Sequence, residues 1–311
     1  MFMKKTLLFA AIATATALTS MSAQAGRLDN IKSSGTISLG YRDASLPFSY
    51  LDDNQKPIGY SMDICYGIVK AVEKSVGKTL KVNLVPVTSS TRIPLVSNGT
   101  VDLECGSTTN NLERQKQVSF APTTFVTANR FVAKKSSNLN TLQDLKGKTV
   151  ISTAGTSNIK WVTEANSGNA KLLNGTAVPA LGMNIIPAKD HAEAFLTVES
   201  GRAAAFFMDD VLLAGLVATS RNPGEWTISK EAYSVEPYAM IEPKDDPAFK
   251  KVVDDAVVAM IKDGTVDKLY TKWFMSPIPP KNVNLNLPMS DALKKALANP
   301  TDSGDPATYR Q

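Results

Sequence analysis

Three arginines, Arg42, Arg92 and Arg114, each follow a short apolar run and each has hydroxyl or carboxylate neighbours. Arg42 follows TISLGY and precedes Asp43. Arg92 comes after LKVNLVPV, beside Ser89 and Ser90, and Arg114 lies just beyond Ser107 and Thr109 in VDLECGSTTNNLER. A guanidinium is a planar fork that matches a carboxylate with two parallel hydrogen bonds. Three of them in one place repel one another unless anions lie between them. The plainer alternative for each is a solvated arginine or a local ion pair, and Asp43 is the obvious rival partner for Arg42. The repeated pattern favours a shared anionic ligand. Asp209 supplies the opposite sign: it follows the apolar run AAAFFM and could receive an ammonium group, with Asp210 left to cap the next helix. The single histidine, His191, follows NIIPAKD and can donate to a carboxylate in its neutral or charged form. Ala154-Gly155-Thr156-Ser157-Asn158 turns into a helix from Ile159 whose first backbone N–H groups favour an anion.

The elements that must position these groups alternate between strand and helix. Strands are expected over 36–41, 80–87, 148–153, 184–187 and 203–208, and Val101, Leu103 and Cys105 alternate as in a short buried strand. Ile64, Ile68, Val72 and Val76 recur every fourth residue and predict an amphipathic helix closed by Gly77. Arg92 opens a helix ending at Gly99, and Asn110 or Asn111 caps the helical turn that carries Arg114. In open α/β sheets, ligands bind beyond the carboxyl ends of the strands, where these charged residues fall. Near 124–131 and 233–238 the chain is expected to cross between two lobes, the second crossing broken at Pro237. A helix with Phe249, Val253, Val257 and Met260 inward follows, then a last helix over 266–274 and a mobile polar tail.

Lys4 and Lys5, the apolar run 7–18 and Ala23-Gln24-Ala25 read as a cleaved secretory signal, too short to span a membrane. No cysteine lies near the cleavage point, so no lipid anchor is expected. The remaining length suits two lobes: 26–128 with 236–311, and 129–235. A net charge of +5, of which Lys4 and Lys5 supply two, is too small and evenly spread to argue for nucleic acid. With one histidine and two cysteines, a structural zinc site is not expected, and no cofactor is called for. Whether Cys65 and Cys105 pair is left open.

The stretches RDASLPFSY, TSSTRIPLVSNGTVDLECGSTTNNLERQKQVSFA, DLKGKTVISTAGT, AKDHAEAF, FFMDDVLLAG and DKLYTKWFMSPIPPKN closely resemble periplasmic glutamate/aspartate-binding proteins of ATP-driven amino-acid importers. The likeness runs in order through nearly the whole chain after residue 25. It implies a two-lobed α/β fold, each lobe a mainly parallel sheet flanked by helices, joined by two hinge strands and closing over the ligand. It further implies a monomeric periplasmic carrier that delivers glutamate or aspartate to an ABC transporter permease. By this resemblance Arg114, Thr109 and the Thr156 turn hold the α-carboxylate, and Asp209 and Ser107 the α-ammonium. Arg42, Ser89, Arg92 and His191 grip the side-chain carboxylate. The Asn-, Gly- and Ala-rich segment between Trp161 and Met183 departs from the family pattern and leaves Ser157 uncertain as a contact. Two rivals are an enzyme on the same scaffold, such as a periplasmic dehydratase using His191 or Glu104 as acid or base, and a soluble ligand sensor. Neither a Ser-His-Asp spacing nor a metal cluster supports the enzyme.

Overall fold

The computed structural model describes residues 26–310; the expected signal segment lies outside them. Two sheets divide the chain. The first runs in the order Lys81–Pro86, Thr36–Tyr41, Leu103–Glu104, Ile241–Pro243, Val118–Phe120, with the first three strands parallel. The second runs Asn184–Ala188, Thr149–Thr153, Ala205–Asp209, Phe125–Lys134, Trp226–Ile228, again with a parallel first triplet. Antiparallel strands extend each triplet because the chain leaves one sheet and re-enters it running backwards. It passes from first sheet to second between Phe120 and Phe125 and returns between Tyr238 and Ile241.

Residues 233–242 form two strands, Ser234–Tyr238 and Ile241–Pro243, and the interruption falls at Ala239-Met240 rather than at Pro237. Pro237 stays in register with Val126 because its strand lies at the sheet's edge, where a missing N–H costs no ladder bond. Its carbonyl accepts the Asn110 N–H at 2.7 Å, and the Ala239 N–H reaches the Thr108 carbonyl at 3.1 Å. The loop carrying Thr108 and Thr109 is thereby tied to a crossing strand.

The Ile64 stripe folds as helix Tyr60–Val76, with Ile64, Cys65, Ile68, Val69 and Val72 buried, and Gly77 ends it at φ 70°. Under both crossings Phe48, Tyr60, Phe125, Tyr238, Tyr270 and Phe274 form one aromatic cluster, with Phe48 and Phe125 centroids 4.9 Å apart and Tyr270 and Phe274 4.5 Å apart. The expected mobile tail is instead packed. Ser290 accepts the Leu293 N–H and starts helix Asp291–Ala298, which buries Leu293, Ala296 and Leu297. Beyond it Tyr309 is buried, its hydroxyl 2.8 Å from that of Thr123.

Cys65 and Cys105 form a disulfide that joins this helix to the strand end preceding Ser107. It closes a loop with a sequence separation of 40. By chain entropy, replacing both cysteines with alanine should cost roughly 2–4 kcal/mol of stability. Urea unfolding measures this, and an unchanged midpoint contradicts it. Among the described residues no helix is long and apolar enough to cross a membrane, and no cluster of His, Cys, Asp or Glu is arranged for a metal ion.

Candidate functional site

Each parallel strand of the first sheet delivers part of the site at its carboxyl end. Arg42 follows strand Thr36–Tyr41; its N–H donates to Ser49 Oγ at 2.9 Å, and its Nη2 donates to Ser89 Oγ at 2.7 Å. Ser89 lies in the turn after Lys81–Pro86, and Arg92 opens the following helix, Arg92–Ser97. Arg92 is 2% exposed and donates from Nη1 to the Ser107 carbonyl at 3.4 Å. Arg114 starts a 3₁₀ turn capped by Asn111, whose Oδ1 accepts the Arg114 N–H at 2.9 Å. Its Nη1 donates to the Thr109 carbonyl at 2.7 Å, and its Nη2 spans the cleft to the Gly155 carbonyl at 3.2 Å.

The second sheet supplies the facing wall. Thr153 ends its strand, and its hydroxyl is 2.8 Å from Nδ1 of His191, which opens helix His191–Glu199. Thr156 caps helix Ser157–Asn166: its hydroxyl donates to the Thr153 carbonyl at 2.6 Å and accepts the Ile159 N–H. What this turn can still offer an anion is backbone N–H, because the first turn of a helix lacks internal partners. Asp209 ends the central strand; Asn158 Nδ2 donates to it at 2.7 Å and the Tyr238 hydroxyl donates to its other oxygen. Ser157 donates to Glu236 at 2.7 Å and lies 3.4 Å from the Thr109 hydroxyl across the cleft.

Between the walls lies a narrow cavity faced by Ser89, Arg92, Ser107, Thr109, Thr156, Ser157, Asn158, His191 and Asp209. Arg42 and Arg114 stand directly behind that wall, through Ser89 and Thr109. A larger, mainly apolar hollow lies behind the crossing strands, and it lacks this convergence of charge. Arg42, Arg92, Arg114, His191 and Asp209 are all buried. Among the described residues no carboxylate comes within salt-bridge distance of any of the three guanidiniums. Asp43, the rival partner for Arg42, is exposed. Arg42 Nη1, Arg92 Nε, Ser107 Oγ and His191 Nε2 have no hydrogen-bond partner among the described residues.

The electrostatics follow from burial and crowding. Desolvation, then repulsion from Arg92, lowers Arg42 to about 10 and Arg114 to about 9; desolvation also lowers Arg92. All three stay charged at neutral pH. Burial, followed by the fields of Arg42 and Arg92, drives His191 well below the ordinary histidine range, so its imidazole is neutral. Nδ1 is engaged by the Thr153 hydroxyl, and Nε2 is the ring nitrogen left to a ligand in the cleft. Burial and Glu236 raise Asp209 to about 7, against the lowering hydrogen bonds from Tyr238 and Asn158.

The sequence-based candidates therefore converge, with one correction and several additions. Asp210 does not cap its helix; it is the first helical residue, and its carboxylate accepts from Thr127 Oγ at 2.5 Å and Arg130 Nε at 2.9 Å. The neighbouring strand Phe125–Lys134 supplied a cation that local spacing could not reveal. Asn158, Tyr238, Thr153 and Glu236 join the site and were not among the candidates. Of these, Asn158 alone carried a local signal, as the last residue of the Ala154-Gly155-Thr156-Ser157-Asn158 turn; the helix in fact begins at Ser157.

The family model of bacterial extracellular solute-binding proteins, family 3, matches residues 37–276. An L-glutamate/L-aspartate-binding protein of Pseudomonas aeruginosa is 51% identical over 279 residues, covering 89% of each chain. A glutamate/aspartate import solute-binding protein of Escherichia coli is 45% identical over 276 residues, covering 88% of each. Among solved structures, an ancestral arginine-binding protein bound to arginine aligns with a TM-score of 0.67 at 29% identity, over 77% of this chain and 98% of that one.

Proposed function

The chain belongs to the bacterial extracellular solute-binding proteins, family 3, and from that premise we propose that it captures glutamate or aspartate between two closing lobes and delivers it to the permease of an ABC-type importer. One observation carries the choice of ligand: Arg92 faces the cleft, the buried guanidiniums of Arg42 and Arg114 stand directly behind its wall, and none of the three is paired with an internal acid. Buried charge without a partner is costly, and an acidic amino acid brings two carboxylates to it. Arg114, Thr109 and the N–H groups of the Thr156 turn receive the α-carboxylate. Asp209 and Ser107 receive the ammonium, while Arg42, Arg92, Ser89 and His191 grip the side-chain carboxylate. Ligand favours closure because these groups come from both walls. The two segments at 121–125 and 238–241 serve as hinges, and the chain works as a periplasmic monomer after loss of residues 1–25. The relatives, all binding proteins, bear out a carrier rather than an enzyme.

A calorimetric panel of the common amino acids, run on protein freed of retained ligand, tests the reading. Glutamate and aspartate should bind and basic amino acids should not; a preference for any neutral amino acid overturns it.

Asp209 adds a pH dependence. Its carboxyl is raised to about 7, so below that pH the ligand-free protein holds a proton that an incoming ammonium must displace. Between about pH 5.5 and 8.5 the amino acid's own groups do not titrate. Affinity should therefore fall as pH drops below about 7, by at most about tenfold per pH unit, and level off above it. Binding in acid should release a proton, read from heats in buffers of different ionisation enthalpy. A flat profile with no proton release contradicts the assignment of Asp209 to the amine.

A further inference from the structure

Glu104 lies on the central strand of the first sheet, paired with Gly40 on one side and Ile241 on the other, and is fully buried. The Thr108 hydroxyl donates to its Oε2 at 2.7 Å; its Oε1 has no partner among the described residues. A Cβ at Gly106 would lie 2.2 Å from that Oε1 and 2.9 Å from Arg42 Cγ, so the carboxylate and the arginine stem share the space a side chain would fill. Among acids, Glu104 exerts the largest field on both Arg42 and Arg92. No salt bridge joins it to either arginine. The reading as a carrier of acidic amino acids leaves this buried carboxylate without a task.

We propose that Glu104 is a specificity-determining residue: one buried carboxylate shared by Arg42 and Arg92 leaves their subsite with a single unit of positive charge, matched to one side-chain carboxylate. The inference rests on the acidic-amino-acid reading above. With two positive charges the subsite would favour a dianion, and with none it would lose its hold on a carboxylate. The distances are too long for hydrogen bonds, so Glu104 acts through its field. In a buried site that field is weakly screened by water and salt.

Glutamate, glutamine and O-phospho-L-serine, whose phosphate is close to a dianion at pH 8, provide side chains of three charges. Calorimetry on the wild-type protein and on Glu104→Gln, which keeps an acceptor for Thr108, should show a graded response. The affinity ratio of phosphoserine to glutamate should rise by about tenfold or more, and that of glutamate to glutamine should rise as well. Unchanged ratios in a folded variant that still binds glutamate overturn the proposal. A second pair of variants does not depend on that one. Arg42→Gln should leave the subsite neutral and abolish most of the preference for glutamate over glutamine. The double variant Arg42→Gln/Glu104→Gln should restore it, because one positive charge returns. A double variant no more selective than Arg42→Gln alone contradicts the proposal. Failure of the wild-type protein to bind glutamate or aspartate would instead remove the functional reading.

Discussion

Alanine in place of Arg92 should weaken glutamate by about 2–5 kcal/mol, roughly 30-fold to several thousandfold, and glutamine by far less. Arg92 is the central guanidinium of the three: its field lowers both Arg42 and Arg114. It is 2% exposed, and its side chain faces the cavity with Nε free of any partner among the described residues. A ligand carboxylate arriving there meets a donor already stripped of water and needing no reorganisation. Glutamine brings an amide, which leaves the Arg92 charge unmatched in the wild-type protein, so the mutation removes little that glutamine used. The ligand-free variant should not unfold more readily than the cavity alone explains, since it is relieved of repulsion from two neighbours. Calorimetry with both ligands reads the difference. Equal losses would remove Arg92 from the side-chain subsite.

The second large effect belongs to Asp209. Asparagine at this position keeps the shape but removes the charge that receives the ammonium. Glutamate should again lose about 2–5 kcal/mol, whereas glutarate, which has both carboxylates and no amine, should lose little or gain. The decline of affinity below about pH 7 should vanish with the carboxylate. Stability should move as well. An acid whose pKa is raised on folding binds more protons in the folded state, so its contribution falls as pH rises from the ordinary aspartate range through about 7. The asparagine variant escapes that loss and should therefore gain stability relative to wild type above neutrality. If glutarate and glutamate weaken alike, Asp209 does not hold the amine.

The four charged anchors, Arg42, Arg92, Arg114 and Asp209, are legible in the sequence because each lies at or shortly beyond the end of a run that reads as a strand. Strand ends of one parallel sheet must meet. Asn111 as the cap of the Arg114 turn and Gly77 as the helix stop follow from local chemistry in the same way. Tyr238 and Glu236 are not legible as site residues, because they sit in a crossing strand whose position is set by pairing with residues more than a hundred positions away. The Cys65–Cys105 bridge, left open by spacing, depends on a helix packing over a strand end. The role of Asp210 went astray for the same reason, since Arg130 reaches it from a neighbouring strand. Pro237 misleads as a breaker because only tertiary structure shows that its strand is an edge. In the tail, the Ser290 cap and the Leu293, Ala296, Leu297 spacing carried a helix signal that polar neighbours outweighed.

All of this depends on excess positive charge in the cleft being matched by the ligand's second carboxylate. The most direct test is the ratio of glutamate to glutamine affinity on the ligand-stripped wild-type protein, two molecules that differ by an oxygen against an NH₂. The account predicts that glutamate binds at least about a hundredfold more tightly, the scale of one buried charge left unpaired. Comparable affinities for the two would show that Arg42 and Arg92 are satisfied some other way, and would contradict it.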